Sequence, residues 1–255
     1  IDYFISDPVA SPPALADAFT EKLALVPGCF MMSAGVSSDA SEPPSRAAQG
    51  LPETATVYAG FTNATRITRD VFAGWMQILQ AVPDSVLWLR QSDANTVQNL
   101  RAEARHCGIE GARLIFAPRV ADKAAHFERL SLADLSLDTN GWHCGHSTTN
   151  ELLCAGVPVL TVAGNTFASR VGASLVTAAG LPELVARDAA EYRDIAIRLG
   201  IDRAACIALK EKLLGNRSHA LLFDQPRIVA GLESVYTALW QHHQSGRPLQ
   251  LIEAK

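Results

Sequence analysis

Residues 143–151 read His-Cys-Gly-His-Ser-Thr-Thr-Asn-Glu, and three chemistries suit such a cluster. A zinc site could use His143, Cys144 and His146, but no second ligand pair follows at zinc spacing and no HExxH is present. A serine nucleophile on a strand-to-helix elbow needs GxSxG, and the second glycine is missing. The third chemistry is a phosphate cradle. Gly145 lets backbone approach a ligand, and Ser147, Thr148 and Thr149 bring hydroxyls to a helix start. First-turn N–H groups there lack helical partners and favour an anion. Glu151, one turn on, can accept from ribose hydroxyls, as acidic residues do in nucleotide sites. The same letters also spell a capping box, with Ser147 or Thr148 as cap and Glu151 closing it. Pattern alone leaves cradle and cap open.

Other candidates sit after "APR" and "GFTNAT". Lys123, His126 and Arg129 share a short helix, with Arg129 on the face of His126, and could hold a diphosphate or stack on a base. Arg66 could neutralise charge on a leaving group. Each of these, taken singly, also fits a solvated surface. His106, His219, His242 and His243 suggest no role.

What must position these residues is an alternation of strands and helices. "ATVYAGF", "SVLWLR", "RLIFAPR", "ADLSLDT" and "VPVLTVAG" read as strands. Between and after them, "RDVFAGWMQILQAV", "NTVQNLRAEARHCG", "DKAAHFERLSL", "TTNELLCAG", "TFASRVGASLVTAAG" and "EYRDIAIRLG" read as helices. The alternation predicts an α/β fold, a Rossmann-like parallel sheet with helices on both faces. Ligands of such sheets bind at the carboxyl ends of the strands. The loops "GFTNATR", "APRVADK" and "DTNGWHCGHSTT" therefore line one cleft. A final helix over "QPRIVAGLESVYTALWQHHQSG" carries an apolar stripe of Val229, Leu232, Val235, Leu239 and Trp240. Residues 35–53, rich in Ser, Pro and Ala, read as a linker or exposed loop.

Bulk properties narrow the partners. The 255 residues are 48% hydrophobic and 19% charged, with a net charge of -4, so no basic field points to nucleic acid. No apolar run reaches the roughly 18–20 residues of a membrane helix, and no membrane partner is expected. The five cysteines are scattered and form no CxxC, which suits a reducing, cytoplasmic setting better than a disulfide framework. The chain opens on Ile1 rather than Met, as a fragment or processed product would.

At these residues the chain resembles the C-terminal catalytic lobe of the O-linked N-acetylglucosamine transferase and SPINDLY family. The resemblance rests on "IDYFISDP", "VPDSVLWLR", "RLIFAPRVADKAAHFERLSLADLSLDT", "GHSTTNELLCAGVPVLTVAGNTFASRVGASLV" and "EYRDIAIRLG", and covers nearly the whole chain. It implies the C-terminal lobe of a GT-B glycosyltransferase fold, with residues 1–53 a remnant of the preceding lobe plus linker. Residues 54–255 would be the nucleotide-sugar donor domain with a C-terminal crossover helix. The implied reaction is inverting transfer of N-acetylglucosamine from UDP-GlcNAc to protein Ser or Thr, in a protein that also carries an N-terminal lobe and tetratricopeptide repeats. The piece alone would be inactive. By resemblance, His146, Ser147, Thr148, Thr149 and Glu151 hold diphosphate and ribose. Ala121, Lys123, His126 and Arg129 bind base and ribose. Asn63 and Arg66 stand where the family has an amide and a phosphate-contacting lysine, and the switch to Arg changes the geometry. No metal cofactor is implied, and the donor could carry UDP or GDP. The alternatives are a non-catalytic nucleotide-binding or interaction module, a GDP-fucose-dependent protein O-fucosyltransferase, or a nucleotide-sugar epimerase.

Overall fold

The computed structural model describes residues 1–33, 44–139 and 143–254. Two strands open the chain, β1 (Tyr3–Ser6) and β2 (Lys22–Leu25). An alternating run follows: β3 (Thr56–Gly60), α1 (Arg69–Ala81), β4 (Ser85–Arg90), α2 (Ala94–His106), β5 (Leu114–Ala117) and α3 (Lys123–Leu130). It continues through β6 (Leu135–Leu137), α4 (Ser147–Cys154), β7 (Val159–Val162), α5 (Phe167–Ala178) and β8 (Val185–Ala186). Three helices, α6 (Ala189–Ile201), α7 (Arg203–Asn216) and α8 (Gln225–Gln244), lead to β9 (Ile252–Glu253).

The larger sheet has the order β5-β4-β3-β6-β7-β8, with every pair parallel. This is the doubly wound order, and it reverses between β3 and β6. The strands are short and apolar because both faces are covered: all five residues of β3 are buried. On one face α1 packs against α6, and elsewhere α3, α4 and α5 pack in succession. Trp75, Trp88, Tyr58 and Tyr192 are the largest fully buried side chains. Their polar tips are mostly satisfied inside the core. The Tyr58 hydroxyl donates to Ala196 O at 2.8 Å, and Trp75 Nε1–H donates to the Tyr192 oxygen at 3.3 Å. That matters because an unpaired buried polar group costs a few kcal/mol, roughly 1–3.

A second sheet, β1-β2-β9, joins the two ends of the chain in parallel register. Buried Asp7 ties it to the larger sheet: its Oδ2 accepts the Ser174 hydroxyl at 2.6 Å and the Phe30 N–H at 3.1 Å. Arg170 on α5 donates from Nε to Val9 O at 2.8 Å.

Two sequence expectations change here. Of the stretch 35–53 read as a linker or exposed loop, residues 35–43 lie outside the described ones, and the rest, though half of its residues are exposed, is anchored at two points. Arg46 pairs with Asp134 at 2.8 Å and donates to Leu132 O and Ala55 O, which draws Leu51 into the core at 4% exposure. The α8 stripe splits. Leu232, Val235 and Leu239 join the cluster over β2, whereas Val229 and Trp240 stand 40% and 61% exposed. At about 100° per residue these two lie roughly 90° further round the helix than the packed set, beyond the reach of β2. No helix among the described residues is long and apolar enough to cross a membrane.

Candidate functional site

The reversal of strand order places four strand ends around one cleft. Phe61 follows β3, Arg90 ends β4, Arg119 and Val120 follow β5, His126 and Arg129 come from α3, and Thr148 and Glu151 from α4. The space is about 160 Å³. Sequence reasoning brought His126, Arg129, Thr148 and Glu151 together correctly. Phe61, Arg119 and Val120 belong to the loops read as lining the cleft, though not singled out there; Arg90, at the end of β4, was missed, its only signal a place at a strand's carboxyl end.

Arg129 holds the floor of the cleft. It is 4% exposed, and its Nε–H donates to His126 Nδ1 at 3.1 Å while Nη1 donates to Pro118 O. Its guanidinium lies 5.6 Å from the centre of the Phe61 ring, which in turn meets Trp88 edge-on at 4.7 Å. Burial, and then the nearby Arg90, draw the Arg129 guanidinium below its usual pKa. Two of its five N–H donors are thus spent inside the protein, one of them orienting His126, while the residue still lines the cleft. With Nδ1 accepting, the neutral His126 ring carries its proton on Nε2, which lies 3.6 Å from Glu151 Oε2. Arg90 and Arg119 have no hydrogen-bond or ionic partner among the described residues, so the rim is cationic.

Beside the cleft, the turn into α4 answers the cap question. The N-cap residue is His146, with φ -110° and ψ -85°, and its side chain makes no capping bond. Ser147, Thr148 and Thr149 are therefore the first three helical residues, and the capping-box reading is overturned. Every other α-helix among the described residues has a side-chain cap: Thr68, Asp93, Asp122, Thr166, Asp188, Asp202 and Asp224. The start of α4 moves upstream because Gly145 N–H is drawn to Asp138 Oδ1 at 2.6 Å. A Cβ on Gly145 would lie 2.5 Å from Thr149 Oγ1, so glycine is required there for packing.

His146 turns away from the helix start. Its Nε2 bonds to Ala168 O at 3.0 Å, its ring stacks on His143 at 4.6 Å, and burial lowers its pKa. Arg66 reaches the same turn, with Nη1 3.5 Å from Cys144 O. Asn63 caps the short turn that carries Arg66, its Oδ1 accepting from Thr65 N–H at 3.1 Å. It fixes that turn's shape rather than lining the cleft. Ala121 and Lys123 are exposed at the start of α3 and stay off the cleft wall, with Lys123 Nζ 5.7 Å above the Phe127 ring. Ser147 is exposed and Thr149 is buried. Among the described residues no group of three or more His, Cys, Asp or Glu could hold a metal ion. Residues 140–142, part of the loop read as lining the cleft, lie outside the described ones.

An uncapped helix start and an arginine at the strand-order reversal are what a nucleotide diphosphate requires. Residues 39–232 match the model of glycosyl transferase family 41. The chain belongs to glycosyl transferase family 41. Among curated family members, it is 34% identical over 256 residues to the probable UDP-N-acetylglucosamine–peptide N-acetylglucosaminyltransferase SEC of Arabidopsis thaliana, covering 98% of this chain and 26% of that protein. The corresponding SPINDLY protein of the same plant is 32% identical, covering 96% of this chain and 27% of that one. A solved mutant O-GlcNAc transferase from Thermobaculum terrenum superposes with a TM-score of 0.85 at 28% identity, over 97% of this chain and 46% of that one. The chain spans about a quarter of the length of the curated relatives. Its larger sheet is the Rossmann-like α/β sheet expected from the alternation of elements, and the match to the solved transferase places it in the C-terminal lobe of the GT-B fold that the family resemblance implied.

Proposed function

We propose that this chain is the donor-binding lobe of a protein O-glycosyltransferase that moves N-acetylglucosamine from UDP-GlcNAc to Ser or Thr hydroxyls. The observation that carries the reading is the uncapped start of α4, set beside Arg66 at the reversal between β3 and β6. The diphosphate docks on the first-turn N–H groups and the Thr148 hydroxyl. Arg66 offsets the charge that grows on the leaving phosphate as the sugar departs. Glu151 accepts from the ribose hydroxyls, and His126, locked by Arg129, offers a ring face for the base. Protein groups supply this positive charge, so no metal is assigned to the site. The acceptor protein, the other lobe and any repeats belong to the longer protein, and the similarity to probable peptide N-acetylglucosaminyltransferases supports a peptide acceptor. Five free cysteines fit a reducing cytoplasm.

Calorimetry of the 255-residue chain with UDP and GDP tests the reading. UDP should bind with micromolar affinity and more tightly than GDP. Thr148→Ala should weaken UDP by about tenfold, the worth of one hydrogen bond to a charged group. Lys123→Ala, off the cleft wall, should cost less. If neither nucleotide binds, the donor reading is wrong.

A further inference from the structure

Asp138 follows β6 at the strand-order reversal and lies behind the cleft rather than in it, 6% exposed. It is tied on three sides. Oδ1 accepts Gly145 N–H at 2.6 Å, and Oδ2 accepts the Thr161 hydroxyl of β7 at 2.9 Å. Its backbone carbonyl accepts the Tyr192 hydroxyl of α6 at 2.9 Å. Two glycines make room for the carboxyl: a Cβ on Gly172 of α5 would lie 2.6 Å from Oδ2, and one on Gly145 3.1 Å from Oδ1. No ion pair meets it among the described residues.

We propose that Asp138 is a positioning residue for the donor site, whose carboxyl sets the turn from Cys144 to Thr149 and takes up a proton when a diphosphate docks on that turn. The inference rests on the donor reading above. Burial pushes the carboxyl up to about 7, against the bonds from Gly145 and Thr161 and the more distant Arg66. The other titratable groups around it are Cys144, whose thiol burial pushes up, Tyr192, whose phenol burial pushes up, and the turn's His143 and His146. From β7 and α5 it meets Thr161 and Gly172, which carry no charge.

Both charge states keep the turn. Ionised, the carboxylate accepts from Gly145 N–H and the Thr161 hydroxyl, with the Thr139 N–H also stabilising it. Protonated, its carbonyl oxygen still accepts from Gly145, and its O–H donates to Thr161, whose hydroxyl changes from donor to acceptor. What differs is one negative charge a single hydrogen bond behind the diphosphate. A docked anion disfavours that charge directly, and it also engages Arg66, which had offset it. Binding therefore draws a proton onto Asp138, and affinity falls as pH rises through about 7.

UDP-GlcNAc is the probe, since its doubly esterified phosphates do not titrate in this range. Calorimetry across about pH 6 to 8.5, in buffers of different ionisation heat, reads affinity and proton uptake together. The wild-type chain should take up protons at neutral pH and lose several-fold in affinity across the range. Asp138→Asn keeps an acceptor for Gly145 and a donor for Thr161. It should bind within about threefold of wild type at the acid end and lose the Asp138 share of the slope and of the uptake. Every other titratable group is common to both proteins, so the difference isolates Asp138. Asp138→Ala frees the turn and should weaken binding by about tenfold or more at every pH. Thermal unfolding without ligand separates the two readings. A raised carboxyl pKa makes the wild type lose stability relative to Asp138→Asn as pH rises from about 4 to about 7, whatever the site binds. Superimposable binding and melting profiles of wild type and Asp138→Asn overturn the proposal while leaving the donor reading intact. A wild-type chain that binds neither UDP nor UDP-GlcNAc overturns the donor reading and the proton coupling with it.

Discussion

Helices α3 and α4 both follow strands of one parallel sheet and both start at its ligand-binding edge, yet their first turns are satisfied in opposite ways. Asp122 closes α3: its carboxylate accepts from Ala125 N–H at 2.7 Å. No side-chain cap closes α4 among the described residues, and its cap residue His146 spends its ring on Ala168. The consequence is a division of labour. A start already occupied by a carboxylate repels a further anion, so α3 serves the cleft through its later residues His126 and Arg129. An open start attracts one, so under the proposed donor reading α4 serves through its backbone, its hydroxyls and then Glu151. The same topology supplies both positions, and cap chemistry separates them.

The contrast can be broken from the α4 side first. His146→Asp places a carboxylate where α3 has one. It should weaken UDP by about a hundredfold, by filling the open donors and repelling the phosphates, while His146→Ala stays within about tenfold of wild type. Calorimetry checks both, and equal losses in the two variants would refute the role of the open helix start. The reverse change is smaller. Asp122→Ala should cost about 1 kcal/mol of stability, a drop of about 2–4 °C in melting temperature for a chain of this size. UDP affinity should stay within about twofold, because the α3 start holds no anion.

Much of this arrangement is legible in the sequence. The alternation of β-rich runs and helices gives the doubly wound sheet, and the sheet gives the edge where polar loops meet. His126 and Arg129 at helical spacing give one wall. The cap of α4 is not legible, since Thr148 and Glu151 have capping-box spacing and local letters favour a cap. A tertiary bond decides otherwise: Asp138 pulls Gly145 and starts the helix at Ser147. Asp138 itself looks like the polar end of "ADLSLDT", and its burial depends on room left by Gly172 of α5. Arg90 escapes notice because the end of a strand gains meaning only once strand order is known. The anchoring of residues 44–53 hangs on Asp134, far along the chain from Arg46. The α8 stripe shows the limit of periodicity, which marks apolar faces without saying which of them finds a partner.

The central claim is that the diphosphate, more than the base, is what the cleft holds. Titrating the wild-type chain with UDP and with uridine measures that directly. The account predicts UDP binding at least about a hundredfold tighter than uridine, or roughly 2.7 kcal/mol from the phosphates. Equal affinities for the two would contradict it.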